Sequence, residues 1–414
     1  MVAVTERQIA IIKATAPVLK EHGVTITTVF YENLLRENPD LNNIFSSTSQ
    51  ATGRQPRALA GAVLGYATYI DDLPKLTHAI ERIAHKHVSL QVIPEQYDVV
   101  GKYLIQAIVQ VLGDAATPEI VDAWIAAYGV LAKVFISRES EMYKANAADN
   151  WVGWRKFRIV RKEAESSAIT SFYLAPADRR VPLPKFYPGQ YVSLQVHVPE
   201  LGYLQSRQYS LSEGPTAKAE YYRISVKKED AVGTGVPGLI SSLLHAKYAV
   251  GDEVELSHPQ GEFYVDPNDT SKEGVPAVLI SVGVGATPLK AILDSLTTAP
   301  GRGEPPAVKR PVSWIHAARS STMQPFGDAV RQICRDNENV TANVFLRNLG
   351  KDDQTGVHYE FGDMRLGLAK LDKERHLFVG DASAEYFICG PEPFMIDVRS
   401  TLVAMGVDRR RIFL

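Results

Sequence analysis

His87 is the residue around which a chemistry can be built. In the stretch from Leu76 to Gln91, read as a helix, it shares a face with Ile80, Ile83 and Ala84. His85 points nearly opposite, beside Glu81 and Arg82, and His78 sits on that same polar side. A lone histidine on an apolar face is more often a satisfied core residue than a metal ligand. Two distant residues shift that balance. Glu139 is flanked at three and four positions by Phe135, Ile136, Met142 and Tyr143, so its carboxylate must be buried and partnered. Tyr97 opens the helix after Pro94 and can supply a hydroxyl. A carboxylate that hydrogen-bonds the free nitrogen of a metal-bound imidazole raises its basicity and fixes its orientation. Tyr31 interrupts the apolar helix face of Val29 and Phe30, Gln55-Pro56 opens a further helix with Leu59 one turn in, and Phe45 ends a short intervening helix. On its own, Tyr31 reads better as a core aromatic with its hydroxyl at the surface.

Two further groups suit phosphates and a planar ring. Arg207-Gln208-Tyr209-Ser210 follows Pro188-Gly189-Gln190-Tyr191. An arginine offers forked donors to a pyrophosphate, while a tyrosine ring and a serine hydroxyl suit the edge of an isoalloxazine. Gly238 opens a helix carrying Ser241 and Ser242, whose N-terminus can take a phosphate. Gly283-Val284-Gly285-Ala286-Thr287-Pro288 runs from a strand into a helix, as a dinucleotide-binding turn requires, with Pro288 where a third glycine is usual. Cys389-Gly390-Pro391 ends a later strand at the same sheet edge.

Three regimes of patterning position these residues. Residues 1–148 carry apolar positions at helical spacing and read as all-α. Residues 154–268 show short period-two runs separated by Pro and Gly, the pattern of an antiparallel barrel. Residues 274–414 alternate strand and helix, which implies a parallel sheet. The polar segment Asn146 to Gly153 reads as a linker, and 299–311 and 347–374 read as surface insertions. The 414 residues carry 45 Lys and Arg against 47 Asp and Glu, without the basic surplus of a nucleic-acid binder. Two separated cysteines, Cys334 and Cys389, exclude a disulfide framework and a thiolate-held cluster, while ten histidines leave room for a histidine-held metal or haem. No apolar run of membrane-spanning length stands out, and the N-terminus lacks an apolar leader, so a cytoplasmic protein without a dedicated membrane anchor is expected.

Phe30-Tyr31, Pro39-x-Leu41, Phe45, Gln55, His85-Lys86-His87, Pro94-Glu95-x-Tyr97, Ala127-Tyr128-Gly129 and Arg138-Glu139 together resemble the globin domain of the flavohaemoglobin family. Arg207 to Ser210, followed by Pro237-Gly238-Leu239-x-Ser241-x-x-Leu244-His245, resembles the FAD domain of that family and of the wider ferredoxin-reductase superfamily. The turn Gly283 to Pro288 resembles the same family's nicotinamide motif. The resemblance spans essentially the whole chain. It implies an all-α globin, an antiparallel β-barrel FAD domain and an α/β parallel-sheet nicotinamide domain. It further implies haem b held by His87 and contacted by Phe45 and Leu59, with Tyr31 and Gln55 above bound oxygen and a Tyr97–Glu139 relay behind the histidine. Lys86 would tune the haem and flavin potentials. FAD contacts fall on Tyr191, Arg207, Gln208, Tyr209, Ser210 and Ser241. Nicotinamide contacts fall on Gly283, Val284, Gly285, Ala286, Thr287, Pro288, Cys389, Gly390 and Pro391.

The activity so implied is nitric oxide dioxygenase: NAD(P)H reduces FAD, FAD reduces haem, and haem-bound O2 converts NO to nitrate, in a monomer whose substrates are the small molecules NO and O2. A gas-sensing globin and a general haem–flavin reductase acting on peroxides or quinones are the rival readings. The strand from Val312 to His316 leads into Ala317-Ala318-Arg319-Ser320 with no acid to repel a 2′-phosphate, so NADPH is expected to serve beside NADH, through Arg319. The family pattern continues past the last strand into a Phe-Gly-Pro tail whose aromatic covers the flavin, whereas this sequence ends at Arg411-Ile412-Phe413-Leu414; either the sequence is truncated there or the protein lacks that lid.

Overall fold

The computed structural model describes residues 4–229, 238–297 and 308–414. Residues 299–307 of one expected surface insertion therefore lie outside the described residues.

Six α-helices come first: α1 (Glu6–Glu37), α2 (Ser47–Ala51), α3 (Arg54–Thr68), α4 (Thr77–Ser89), α5 (Pro94–Leu112) and α6 (Pro118–Ala148). Local chemistry sets their starts. Thr5 and Gln8 form a reciprocal capping box on α1, Thr117 caps α6, and Pro94 and Pro118 occupy first-turn positions where no amide donor is needed. α6 corrects the membrane reading in one respect: by length and composition it could cross a membrane, with a mean hydropathy of 1.6 in its most apolar window. Here α6 packs against α1, α4 and α5.

The second unit is a six-stranded antiparallel sheet of β1 (Arg155–Ala164), β2 (Ile169–Pro176), β3 (Tyr191–Val198), β4 (Tyr203–Ser210), β5 (Tyr222–Lys227) and β6 (Glu253–Leu256), in the order β4-β3-β6-β1-β2-β5, with α7 (Leu239–Lys247) packed into it. The third is a parallel sheet ordered β11-β10-β7-β8-β9. Its strands are β7 (Ala277–Val282), β8 (Val312–Ala318), β9 (Val340–Leu346), β10 (Glu385–Cys389) and β11 (Ile412–Phe413). Its helices are α8 (Ala286–Leu296), α9 (Gly327–Asp336) and α10 (Glu392–Ala404). The difference is written in side-chain alternation. The first residues of β1 alternate buried and exposed, as befits a strand with one wet face, whereas β8 is buried along its whole length. One face of the parallel sheet packs Leu279, Trp314 and Phe387 with α8 and α9, and the other packs Ile280, Ile315 and Phe345 with α10.

Three segments differ from expectation. Asn146 lies within α6 and is buried, and Trp151 is sunk to 2% exposure between Phe157, Tyr222 and the Arg155 guanidinium, so 146–153 is docked rather than a free linker. The 347–374 segment is not merely a surface insertion. Leu368 and Leu371 enter the sheet core, and Phe361 stacks on Phe345 at 4.4 Å, because the face of β9 would otherwise be bare. Of the 299–311 stretch, Val308 and Arg310 are buried, Arg310 pairing with Glu385 at 2.7 Å.

Candidate functional site

The helix phase read for α4 is the one observed: Ala84 is buried and His87 faces Phe135 and Tyr97. Nδ1 of His87 lies 2.8 Å from Glu139 Oε1 and 2.9 Å from Tyr97 Oη, and the Tyr97 hydroxyl donates to the same carboxylate oxygen at 2.6 Å. Glu139 is 3% exposed, so these two donors replace the water it gave up. Burial and the neighbouring carboxylate both raise the Tyr97 pKa, keeping it a proton donor. The Tyr128 hydroxyl donates to the Tyr97 carbonyl at 2.6 Å, its ring passing so close to Gly101 that a Cβ there would collide with it. With its proton held at Nδ1, His87 presents a lone pair at Nε2, for which no protein partner occurs among the described residues.

On α1 the Tyr31 ring is buried edge-on between Phe30 and Phe45, at 4.7 and 5.4 Å between centroids. Burial raises its pKa, and a hydrogen bond from Gln55 partly offsets that rise. Gln50 of α2 donates to Gln55 Oε1 at 3.1 Å, which leaves the Gln55 amide to donate to the Tyr31 oxygen. The Tyr31 proton is thereby free for a further acceptor. Leu59 stands one turn beyond Gln55, half-buried like Phe45 against the same core.

The expected flavin residues lie within β3 and β4, not ahead of a strand: Tyr191 pairs with Ser210, Val192 with Tyr209 and Ser193 with Gln208. Gln208 donates to Ser193 Oγ at 3.0 Å, Ser193 donates to Ser89 Oγ of α4 at 2.8 Å, and Ser89 also bonds the Tyr191 hydroxyl. The Arg207 guanidinium donates to the Ser206 carbonyl, and burial lowers its pKa. Lys86 lies close enough to feel both Arg82 and Arg207, and its pKa is lowered first by burial and then by those charges. No carboxylate pairs with Arg82, Lys86 or Arg207 among the described residues, so the group presents positive charge to which an anion can bind. Ser241 turns away from it, bonding the Gly238 carbonyl and the Glu229 amide.

At the carboxyl edge of the parallel sheet, Gly283 has φ +55° and α8 starts at Ala286. A Cβ on Gly285 would lie 2.1 Å from the Cys389 carbonyl oxygen. This glycine therefore admits the end of β10 against the turn, a tighter reason than approach of a diphosphate alone. Val284 ends up beneath the Thr287 hydroxyl, which bonds its carbonyl at 2.9 Å; Pro288 is buried in the first turn of α8, and Pro391 caps α10. A Cβ on Gly390 would strike Phe394 and Val282. Burial pushes the Cys389 thiol up to about 12, so it stays protonated. Arg319 is exposed at the end of β8.

Several residues gave no signal in the sequence. His85, placed on a polar face, lies with Nδ1 2.8 Å from Gln260 and accepts from the Gly261 amide at 3.2 Å, so it joins the helical unit to the barrel. Gln205, 1% exposed, plugs the barrel into the segment before α2.

The Nε2 lone pair of His87 and the Arg207 guanidinium fit prosthetic groups. No cluster of three or more His, Cys, Asp or Glu that could hold a bare metal ion occurs among the described residues, so a metal at His87 must arrive in a macrocycle that brings its own ligands. An α-helical pocket with one imidazole, joined to a flavin-type barrel and a dinucleotide-type sheet, defines a haem–flavin oxidoreductase. The comparisons agree. A globin family model matches residues 28–135. The flavohemoprotein of Bordetella pertussis is 45% identical over 97% of this chain and 96% of its own length, and that of Rhizobium meliloti is 43% identical over 99% and 96%. The crystal structure of a flavohemoglobin from Malassezia yamatoensis with bound FAD and heme superposes with a TM-score of 0.81 at 31% identity, covering 99% of this chain and 98% of that one. The chain belongs to the flavohemoprotein family.

Proposed function

We propose that this protein is a nitric oxide dioxygenase that binds haem b, FAD and NADH or NADPH and turns NO and O2 into nitrate. The observation that carries the reading is the His87 imidazole tied through Nδ1 to the buried Glu139 and Tyr97, in a helical unit that also buries the Tyr31 ring beside Gln55. When bound, the haem supplies oxygen binding and the FAD converts a hydride from the nicotinamide into single electrons.

The protein does the rest. His87 would hold the iron through Nε2, and Glu139, by accepting the Nδ1 proton, makes that nitrogen a stronger donor. Tyr31 offers its free proton to a ligand carrying negative charge, and Gln55 aims it. Phe45 and Leu59 exclude water. Arg207, with Lys86 nearby, receives phosphate charge, while Tyr191, Gln208, Tyr209 and Ser210 line the strand pair on which a flavin ring can lie. The Gly283–Thr287 turn at the start of α8 suits a diphosphate, with Cys389 as a neutral wall. The two unpaired cysteines, and the demand for reduced nicotinamide, support a cytoplasmic setting.

The test is NO consumption by the haem- and FAD-loaded chain under air with NADH, nitrate being formed mole for mole. Reduction of added quinone or peroxide at the parent rate, with no NO consumed, would transfer the assignment to a general reductase.

A further inference from the structure

The strand that carries Arg207 to Ser210 also grips the segment of the helical unit that leads to Tyr31. Gln205, two residues before Arg207 on β4, is buried, and its carboxamide makes four hydrogen bonds to the 42–47 segment of the helical unit. Its Oε1 accepts from the Ser47 amide and hydroxyl, each at 3.0 Å. Its Nε2 donates to the Asn42 carbonyl at 2.7 Å and to that of Phe45 at 3.3 Å. Beside it, the Leu204 amide donates to Asn43 Oδ1 at 2.8 Å. Both ends of this short segment are thus tied to one side chain of the reductase barrel.

Two routes lead from there to Tyr31. Phe45, whose carbonyl Gln205 holds, packs its ring edge-on against Tyr31. Ser47 is the first residue of α2, and one turn later Gln50 donates to Gln55, which bonds Tyr31. A five-residue helix has little stability of its own and takes its position from whatever grips its ends.

We propose that Gln205 is a positioning residue of the oxygen pocket: the flavin-side strand sets where Phe45 and Gln50, and through them the Tyr31–Gln55 donor, stand relative to His87. This rests on the reading of that pocket as the haem site. A consequence is that the pocket of the full-length protein has a geometry the helical unit does not specify alone.

The experiment uses full-length, haem- and FAD-loaded protein with CO as probe. Gln205→Ala and the volume-conserving Gln205→Met are each expected to shift or broaden the stretching band of bound CO, and to change the CO association rate by about threefold or more. FAD content should stay at the parent level. Asp149→Asn, which breaks the His258–Asp149 contact between the same two units far from the 42–47 segment, is expected to keep the parent band. Parent-like bands and rates in both Gln205 variants would overturn the proposal alone, as would an equal shift in Asp149→Asn. A parent protein without haem absorption or CO binding would overturn the reading of the pocket and the proposal with it.

Discussion

Replacing Tyr31 with Phe removes one oxygen atom from a site whose packing is otherwise ring against ring. The phenyl group keeps the edge contacts to Phe30 and Phe45, so no cavity opens and the fold should be unaffected. What disappears is a donor. Because Gln50 occupies the Gln55 carbonyl oxygen, Gln55 donates to the Tyr31 oxygen and the tyrosine proton points to a further acceptor. A hydrogen bond to a charged acceptor is worth about 1.5–3 kcal/mol, so O2, which gains negative charge on binding ferrous haem, should leave roughly 10- to 150-fold faster from the variant. CO gains little charge and provides the internal control, its release changing far less. Stopped-flow measurement of O2 and CO dissociation from the reduced protein, at unchanged haem and FAD content, decides the matter. An unchanged O2 release rate, or parallel acceleration of both gases, would mean that the hydroxyl does not face the ligand and that the orientation argument through Gln50 is wrong.

Other outcomes follow from the same geometry. His87→Ala should abolish haem retention while FAD remains, whereas His85→Ala should retain haem, having lost only its contacts to Gln260 and Gly261; absorption spectra of the purified variants show either. NADPH should support turnover appreciably beside NADH, and Arg319→Glu should lower kcat/KM for NADPH selectively; a strong NADH preference in the parent, untouched by the substitution, removes Arg319 from the site. His316 is fully buried, bonds Ser281 at 2.8 Å, leaves Nε2 unpaired, and has its pKa lowered to about 4 by burial. The unfolded chain then binds the extra proton first, so this group's contribution is complete above its unfolded pKa and is lost as pH falls. Between the unfolded value and pH 5 that loss comes to about 2 kcal/mol. Urea midpoints of parent and His316→Leu should therefore diverge in slope over that window, and equal slopes would show that the imidazole is not buried neutral.

What the sequence disclosed and what it hid divide along a physical line. Periodic signals were readable: the face of α4 that carries His87, the apolar surround that condemned Glu139 to a partner, and the alternation that separates β1 from β8. Each is a local pattern repeated over several residues. Gln205, Ser89 and His85 carry no such pattern, because each is defined by hydrogen bonds to residues far along the chain, and Gln50 is defined by a single bond to a side chain of the next helix. A glutamine in a polar strand looks solvated until another unit covers it. The 347–374 segment misled for the same reason: its scattered leucines have no period, and only the bare face of β9 explains why they are buried. Gly285 was read as part of a dinucleotide-binding turn, whereas its neighbour across the turn, Cys389, gives the reason that a side chain is excluded.

Among the described residues, the hydrogen bonds that join the helical unit to the barrel are mostly between uncharged groups, His258 with Asp149 being an exception: Ser89 with Ser193, His85 with Gln260, Gln205 with three residues, Asn146 with Gln260. Separate electron-transfer partners commonly meet through opposed charges, which speeds encounter but makes it fade as salt rises. Here donor and acceptor sit on one chain, so no encounter has to be steered, and the seam can dispense with charge. Flavin-to-haem transfer in this protein is accordingly expected to be unimolecular, equally fast in dilute and in crowded solution, and nearly blind to ionic strength.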